Sequence, residues 1–521
     1  MNRISDFSQR KKLRDIEFWI LRVIWIEIFF LPIFPPISIF ALICALFLWV
    51  IRLKLDKNFK IRPLPFDLPV MLFLLISTVS VIFSPVRNFF LFYNFFTLAG
   101  IYILSYFIIG QNIRSPEQIN FFVKSAAFST FFVVMGGFFQ YIFGVDISDM
   151  KWIDGEVFPE LRKRVFSTLE NPNVLAGYLD VIISIALGIL AKFGDKKQKI
   201  LILTAIFFMT ACLAMTYSRG AFLTLALIFF IYGVIQDWRI LLLFSSLILL
   251  ILYSDTTFSD RIISIFTDTL DSSEGLRIGI WVSTIPMIAD HPFTGVGWGA
   301  FQFIYPKYNY YLADTSITIF HAHNIYLNTA AEIGIIGALA YFWYFFGTMF
   351  MALDLHSNQR YAIITSTVEF IGLKIFDVIR KFFAEHLNFN FSTRFKAFKD
   401  KFFKKSDSEP KSDKTQKRNP NLVHHDELKK SSRKNKNKSD DDDNKFDLQK
   451  FAESNKKEIL ALENKNFVEG VRFGIGLAFL SMAINGFSDD LLFNMQSSML
   501  MWQLGALAAV CQNFLRNEDK E

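Results

Sequence analysis

The run His321-Ala322-His323-Asn324 sets two imidazoles within three residues, directly ahead of the apolar stretch 325–353. A neutral imidazole titrating near ambient pH can take a proton from a hydroxyl, so either histidine is a candidate general base. Arginines supply the complementary chemistry. Arg219 opens an apolar run behind Ser218, a candidate N-cap, where free backbone N–H groups and a fixed cation together attract an anion. Arg277 and Trp281 are four residues apart in 275–290, a stretch of helix-like spacing, and so project from one face. Asn324, Asn328 and Glu332 recur every fourth residue. An acid in an apolar helix is costly unless it faces a protein interior, so this stripe turns His323 inward. Each reading has a simpler counterpart: Arg219 snorkelling to lipid phosphate, Arg277 and Trp281 packing a loop helix, or the histidine pair binding zinc or capping its helix. The zinc reading lacks a third His or Cys at suitable spacing, and no metal is expected. His291, followed by Pro292, reads as a helix stop.

What must hold these residues is a membrane. Of 521 residues, 52% are hydrophobic and 62 are Phe, more apolar surface than a soluble fold readily buries. Apolar runs fall at 17–34, 37–52, 67–84, 89–110, 119–144, 174–193, 199–217, 220–236, 239–253, 324–353, 469–487 and 494–514. Each approaches the roughly twenty residues a helix needs to cross a bilayer. The expected fold is therefore all-α, a polytopic integral membrane protein of about twelve transmembrane helices. A large extracytoplasmic loop, 254–323, lies between spans nine and ten. The three cysteines, Cys44, Cys212 and Cys511, are scattered among apolar runs and suggest neither a disulfide framework nor a metal site.

Loop charges orient the chain. The net charge of +7 comes from Lys and Arg gathered between apolar runs, which is the positive-inside pattern and not a nucleic-acid surface. The even-numbered gaps carry Arg52, Lys54, Lys57, Lys60 and Arg62, then Arg114, then Lys192, Lys196, Lys197 and Lys199, then Arg239. Odd-numbered gaps hold few cations; the exceptions (Arg162, Lys163, Arg164, Arg261, Arg277, Lys307) sit in long loops where the rule weakens. The basic start, Met1 to Glu17, has no cleavage-site pattern. The expectation is a multi-pass protein of the inner (cytoplasmic) membrane with both termini cytoplasmic. Loops 145–173, 254–323 and 488–493 and the corner at Ser218-Arg219-Gly220 then face outward, and any reaction site there is extracytoplasmic.

Three segments follow: 1–353, with ten spans and the large loop; 354–468, a cytoplasmic insertion; and 469–521, with the last two spans and a tail. Within the insertion, Ile371, Ile375, Val378, Ile379 and Phe382 keep helical spacing opposite Lys374, Asp377, Arg380 and Lys381, as in a helix lying on a membrane surface. A solvated charged linker is the alternative. Residues 405–445 are almost wholly Lys, Ser, Asp and Asn, a composition that cannot offset chain entropy.

Taken together the blocks resemble the O-antigen ligase and polymerase superfamily of polytopic membrane glycosyltransferases. They are Arg164-Val165-Phe166-Ser167-Thr168 with Asn171-Pro172-Asn173-Val174-Leu175-Ala176-Gly177, then Tyr217-Ser218-Arg219-Gly220, then Arg277-Ile278-Gly279-Ile280-Trp281. His291-Pro292 leads into Gly295-Val296-Gly297-Trp298-Gly299-Ala300-Phe301, and the last block runs from His321 through Glu332-Ile333-Gly334. The similarity covers about 1–353 and 469–514; the insertion departs from the family pattern. The resemblance implies transfer of a glycan from an undecaprenyl-pyrophosphate carrier to an acceptor hydroxyl outside the membrane, inverting the anomeric centre, without metal or other cofactor. It implies that Arg219 and Arg277 hold the pyrophosphate, with Arg164 a third contributor. It implies His323 as the base, with His321 as runner-up. Trp281, Trp298, Asn324 and Glu332 would line the substrate site, although packing serves the tryptophans equally well. A polysaccharide polymerase and a protein O-glycosylating transferase share this chemistry. A lipid-linked glycan flippase is the more remote reading, since no matched pair of broken helices marks the sequence.

Overall fold

The computed structural model describes residues 2–56, 59–144, 164–192, 194–254, 273–309, 318–354 and 441–518. All regular elements among them are helical. The chain divides into two compact units, Met1–Asp354 with Ala461–Glu521, and Leu355–Leu460. In the second unit only 441–460 are described; the amphipathic segment expected over 371–382 lies outside the described residues, as does most of 405–445.

In the first unit every apolar run overlaps a helix. In order these are α1 (Asn2–Phe30), α2 (Pro35–Leu55), α3 (Asp67–Ile82) and α4 (Phe89–Thr97), which passes through a π-helical stretch (Leu98–Ile103) into α5 (Leu104–Asn112). Next come α6 (Pro116–Phe143), α7 (Pro172–Lys192), α8 (Lys196–Ala214), α9 (Arg219–Ile235) and α10 (Arg239–Ser254). The large loop contributes α11 (Ser273–Asp290) and the short α12 (Phe301–Ile304); α13 (Ile325–Leu353), α14 (Asp441–Asn485) and α15 (Met495–Glu518) complete the order. Seven of the described helices are long and apolar enough to cross a membrane, against the twelve expected; α3 and α9 are apolar but shorter, at 16 and 17 residues. The chain is a multi-pass membrane protein.

Two packing features position the site. Gly188 of α7 lies against Gly470 and Gly474 of α14, where a Cβ would come within 2.2 Å of backbone. Small residues let membrane helices approach closely, so α7 and α14 are held at near backbone contact. The second feature is a break. The run 324–353, expected as one straight span, is interrupted at Gly334 (φ 73°, ψ 174°), a conformation open essentially to glycine alone.

A broken helix in an apolar setting must find partners for its freed backbone groups. The glycine-rich loop supplies them. Val296 N–H donates to the Ala331 carbonyl (2.9 Å), Gly297 N–H to that of Glu332 (2.8 Å), and Ile335 N–H to that of Pro292 (2.8 Å). Ser80 of α3 adds a fourth bond to the Glu332 carbonyl at 2.7 Å. A Cβ on Gly334 would lie 2.4 Å from the Phe293 carbonyl oxygen. Gly334→Ala is therefore expected to cost at least about 1–3 kcal/mol from backbone strain alone, before the clash. Thermal unfolding of the purified protein in detergent measures it; an unshifted midpoint would show that the break relaxes freely.

Candidate active site

The histidine turn is pinned from three sides. Asn324 is extended (φ −160°) and caps α13, its side-chain oxygen accepting the N–H groups of Tyr326 and Leu327 at 3.0 Å each. Its amide donates to the Phe487 carbonyl at 3.1 Å, and Ile325 N–H donates to that of Gly486 at 2.9 Å. The Asn328 side chain accepts the Ala322 N–H at 3.1 Å. Helix capping, one of the open readings of the histidine pair, thus falls to Asn324. The His323 N–H donates to Nδ1 of His321 at 3.2 Å, which requires that Nδ1 to be unprotonated. The two rings lie 4.2 Å apart, and Phe493 covers His321 at 4.6 Å.

Asp489, in the short connection between α14 and α15, is the hub. Its Oδ1 lies 3.1 Å from Nδ1 of His323 and accepts the Asp490 N–H at 2.9 Å. Its Oδ2 accepts the Asn173 amide at 3.1 Å and sits 3.6 Å from the Arg277 guanidinium. The connection rests on a buried network: Asn485 donates to Asp180 at 2.7 Å, accepts from Thr224 at 3.1 Å, and offers its own carbonyl to the N–H groups of Ser488 and Asp489.

Electrostatics separate the two neighbouring acids. Burial by itself raises the Asp489 carboxyl, but the His323 hydrogen bond and the Arg277 cation overcome it and hold the group well below the usual carboxylate range. Burial and the charge of Asp489 instead push Asp490 up to about 7, against hydrogen bonds from the Phe493 and Leu492 amides. Burial, then the neighbouring His323, lower His321 to about 3, with Asp489 opposing. An ionised carboxylate on Nδ1 of His323 favours the tautomer with its proton there, leaving Nε2 as the basic nitrogen.

The arginines approach the hub by different routes. Arg164 donates to the Thr216 carbonyl and to the Asn173 side chain, both at 2.7 Å, so Asn173 links it to Asp489. Arg219 is the first residue of α9, and Gly220 beside it packs on Ser488, whose Oγ a Cβ would meet at 2.8 Å. Ser218 stands at the N-cap position, yet its hydroxyl makes no capping bond; instead its N–H donates to Thr216 Oγ1 at 3.2 Å. Of five non-glycine residues with positive φ among the described residues, four (Ser167, Glu170, Tyr217, His323) lie in the segments that converge here. Such strain persists only where surrounding structure enforces it, and it clusters at functional sites.

Other expected residues have structural work. Trp298, half-buried, packs edge-to-face on Phe73 of α3, with ring centroids 5.6 Å apart. The Glu332 carboxylate is held by the amides of Gly299 and Phe301, at the start of α12. Trp281 lies one turn along α11 from Arg277, its indole N–H buried and without an acceptor among the described residues. Asp489 is the residue that sequence reasoning missed. It is 166 positions from His323, and its one signal was an acidic pair in a six-residue outward gap. It also supplies the third donor that the zinc reading lacked: ligand atoms of His321, His323 and Asp489 lie within 4.8 Å of one another. That donor set is already engaged internally, by the His323–Asp489 contact and by Arg277 as the local cation.

Residues 204–342 match the family model described as O-antigen ligase. No curated protein matches the chain. The matched segment contains Arg219, Arg277, His321 and His323, whereas Arg164 and Asp489 lie outside it. Within an all-helical, multi-pass framework, this segment is thus similar to the O-antigen ligase family.

Proposed function

We propose that the chain moves a glycan from an undecaprenyl-pyrophosphate carrier to an acceptor hydroxyl, on the outer face of the inner membrane, with both termini cytoplasmic. The observation that carries this reading is the contact of His323 and Arg277 with one carboxylate, Asp489, at one end of the bundle. The acceptor oxygen attacks the anomeric carbon while its proton passes to Nε2 of His323. The bond from that carbon to the pyrophosphate oxygen breaks, and the leaving group departs with the electron pair. Attack from the face opposite the leaving group inverts the configuration. Arg277 and Arg219 meet the charge that develops on the leaving oxygen, with Arg164 more distant behind Asn173. His321, its basicity lowered by burial and by His323, stays neutral and positions His323 through the backbone bond. A divalent ion on His321, His323 and Asp489 would displace the His323–Asp489 hydrogen bond and face Arg277, so the scheme uses none.

Purified full-length protein, given undecaprenyl-pyrophosphate-linked glycan and a hydroxyl acceptor in detergent, is expected to form a glycosidic bond and release the carrier pyrophosphate in equal amount. Carrier binding with no new bond would replace this reading by a flippase. Arg277→Lys keeps the charge but loses the planar fork, and kcat is expected to fall about 100-fold. Unchanged turnover in that variant would remove Arg277 from the leaving-group role. Comparing products formed with lipid, polysaccharide and protein acceptors separates ligase, polymerase and protein-glycosylating activities.

A further inference from the structure

At the opposite end of the bundle from His323, cations are packed more tightly than a solvated membrane surface requires. The Phe59 ring is bracketed by two guanidiniums, Arg52 at 4.7 Å and Arg114 at 4.6 Å from its centroid. Arg62 joins them from the same connection: one terminal nitrogen donates to the Gly110 carbonyl and, at 2.9 Å, to that of Ile113. Its backbone exchanges hydrogen bonds with the Gln111 side chain, at 2.8 and 2.7 Å. Arg114 is tied to the same turn through the carbonyls of Gln111 (2.9 Å) and Lys60 (3.3 Å).

These bonds hold three like charges where repulsion would disperse them. Two carboxylates oppose them: Glu17 pairs with Arg52, and the charge of Asp56 bears on Arg114. Lys54 and Lys60 are exposed beside them, so among the described residues five cations face these two acids. Burial, then the charge of Arg114, disfavours the Arg62 cation. Its Nε is buried and has no acceptor among the described residues. The cluster is short of an anion.

The surroundings say what kind. Ile61, between Lys60 and Arg62, is 66% exposed, and Leu55 at the end of α2 is also exposed. Along α2 the exposed side chains Ile43, Phe47 and Val50 continue an apolar face away from the cations at helical spacing. A soluble anion would leave that face unused. A ligand with a phosphate head and hydrocarbon chains uses both.

We propose that the cluster around Phe59 is the headgroup seat of an anionic phospholipid. Its phosphodiester lies against Arg62 and Arg114, and its acyl chains run along the exposed face of α2. The lipid thereby braces the ends of α2 and α5 against the middle of α1, which meet at this point through Arg52, Asn112 and Glu17.

The test is native mass spectrometry of the full-length protein in detergent, offered equal amounts of phosphatidylglycerol and phosphatidylethanolamine with identical chains. Preferential retention of phosphatidylglycerol is expected, weakening as ammonium acetate concentration rises. Each cation near a membrane surface contributes about a fivefold preference for anionic lipid. Arg114→Gln and, separately, Lys60→Gln should therefore each reduce the preference by about that factor. Both positions are exposed, and the unfolding temperature of each lipid-free variant is the control for folding. Equal retention of the two lipids by the unmodified protein, with no salt dependence, overturns the proposal whatever the variants do. An undiminished preference in both variants overturns it too, as does displacement of the lipid by millimolar inorganic phosphate, which would mark a soluble-anion site.

Discussion

His323→Ala is expected to lower glycan transfer by about 10²–10⁴-fold, the range over which a positioned general base acts, with carrier binding little changed. His323 is the histidine whose Nδ1 faces an ionised carboxylate, whereas His321 has its Nδ1 committed to a backbone N–H and its basicity lowered by burial and by His323. His321→Ala should thus do less than His323→Ala when protein levels in the membrane match. Steady-state transfer assays with a defined acceptor measure both. If His323→Ala retains full activity, or the two variants exchange their order, the base assignment fails.

Asp489→Asn should fall nearly as far, by about 100-fold or more, although it removes no atom from the reacting centre. The amide cannot neutralise Arg277, and it presents either an N–H or a carbonyl to Nδ1, so the tautomer of His323 is no longer set by charge. Asn173 would lose its ionised acceptor at the same time. A purely structural role for Asp489 predicts a different result: reduced expression and unfolding temperature, with normal specific activity in the surviving protein. The loss should appear in kcat more than in KM, because Asp489 acts through His323 and Arg277 and itself touches no substrate atom. A change confined to KM would count against the positioning role.

The helical framework was legible because its cause is local. A run of apolar residues is written contiguously, and each of the twelve runs overlaps a helix. Arg277 and Trp281 on one face of α11 were legible for the same reason, since spacing along a helix is a local quantity. Asp489 was not, because nothing near it in sequence announces a partner 166 residues away; Gly188 against Gly470 and Gly474 is what brings its helix beside α7. The break at Gly334 was equally hidden. Ile325 to Leu353 reads as one apolar helix, and the interruption exists only because a distant loop satisfies its backbone. The bonds that hold Glu332 were hidden for a related reason. A buried acid signals function by default, and its two amide partners lie in a segment whose course sequence does not reveal.

That break divides one helix into two levers. The nine residues Ile325–Ile333 span about 13 Å and are fastened to the 291–299 loop and to α3; the remainder, bonded to the same loop through Ile335, continues to Leu353 as a second rod. Bilayers differ in thickness, and membrane helices answer by tilting. The joint at Gly334 lets the two rods take different tilts, and the loop bonded on both sides of it holds the short one in place. The depth of His323 relative to the lipid surface is then set by its protein neighbours rather than by the bilayer. If the donor is the lipid-anchored glycan proposed above, such a joint uncouples the height of His323 from the composition of the membrane.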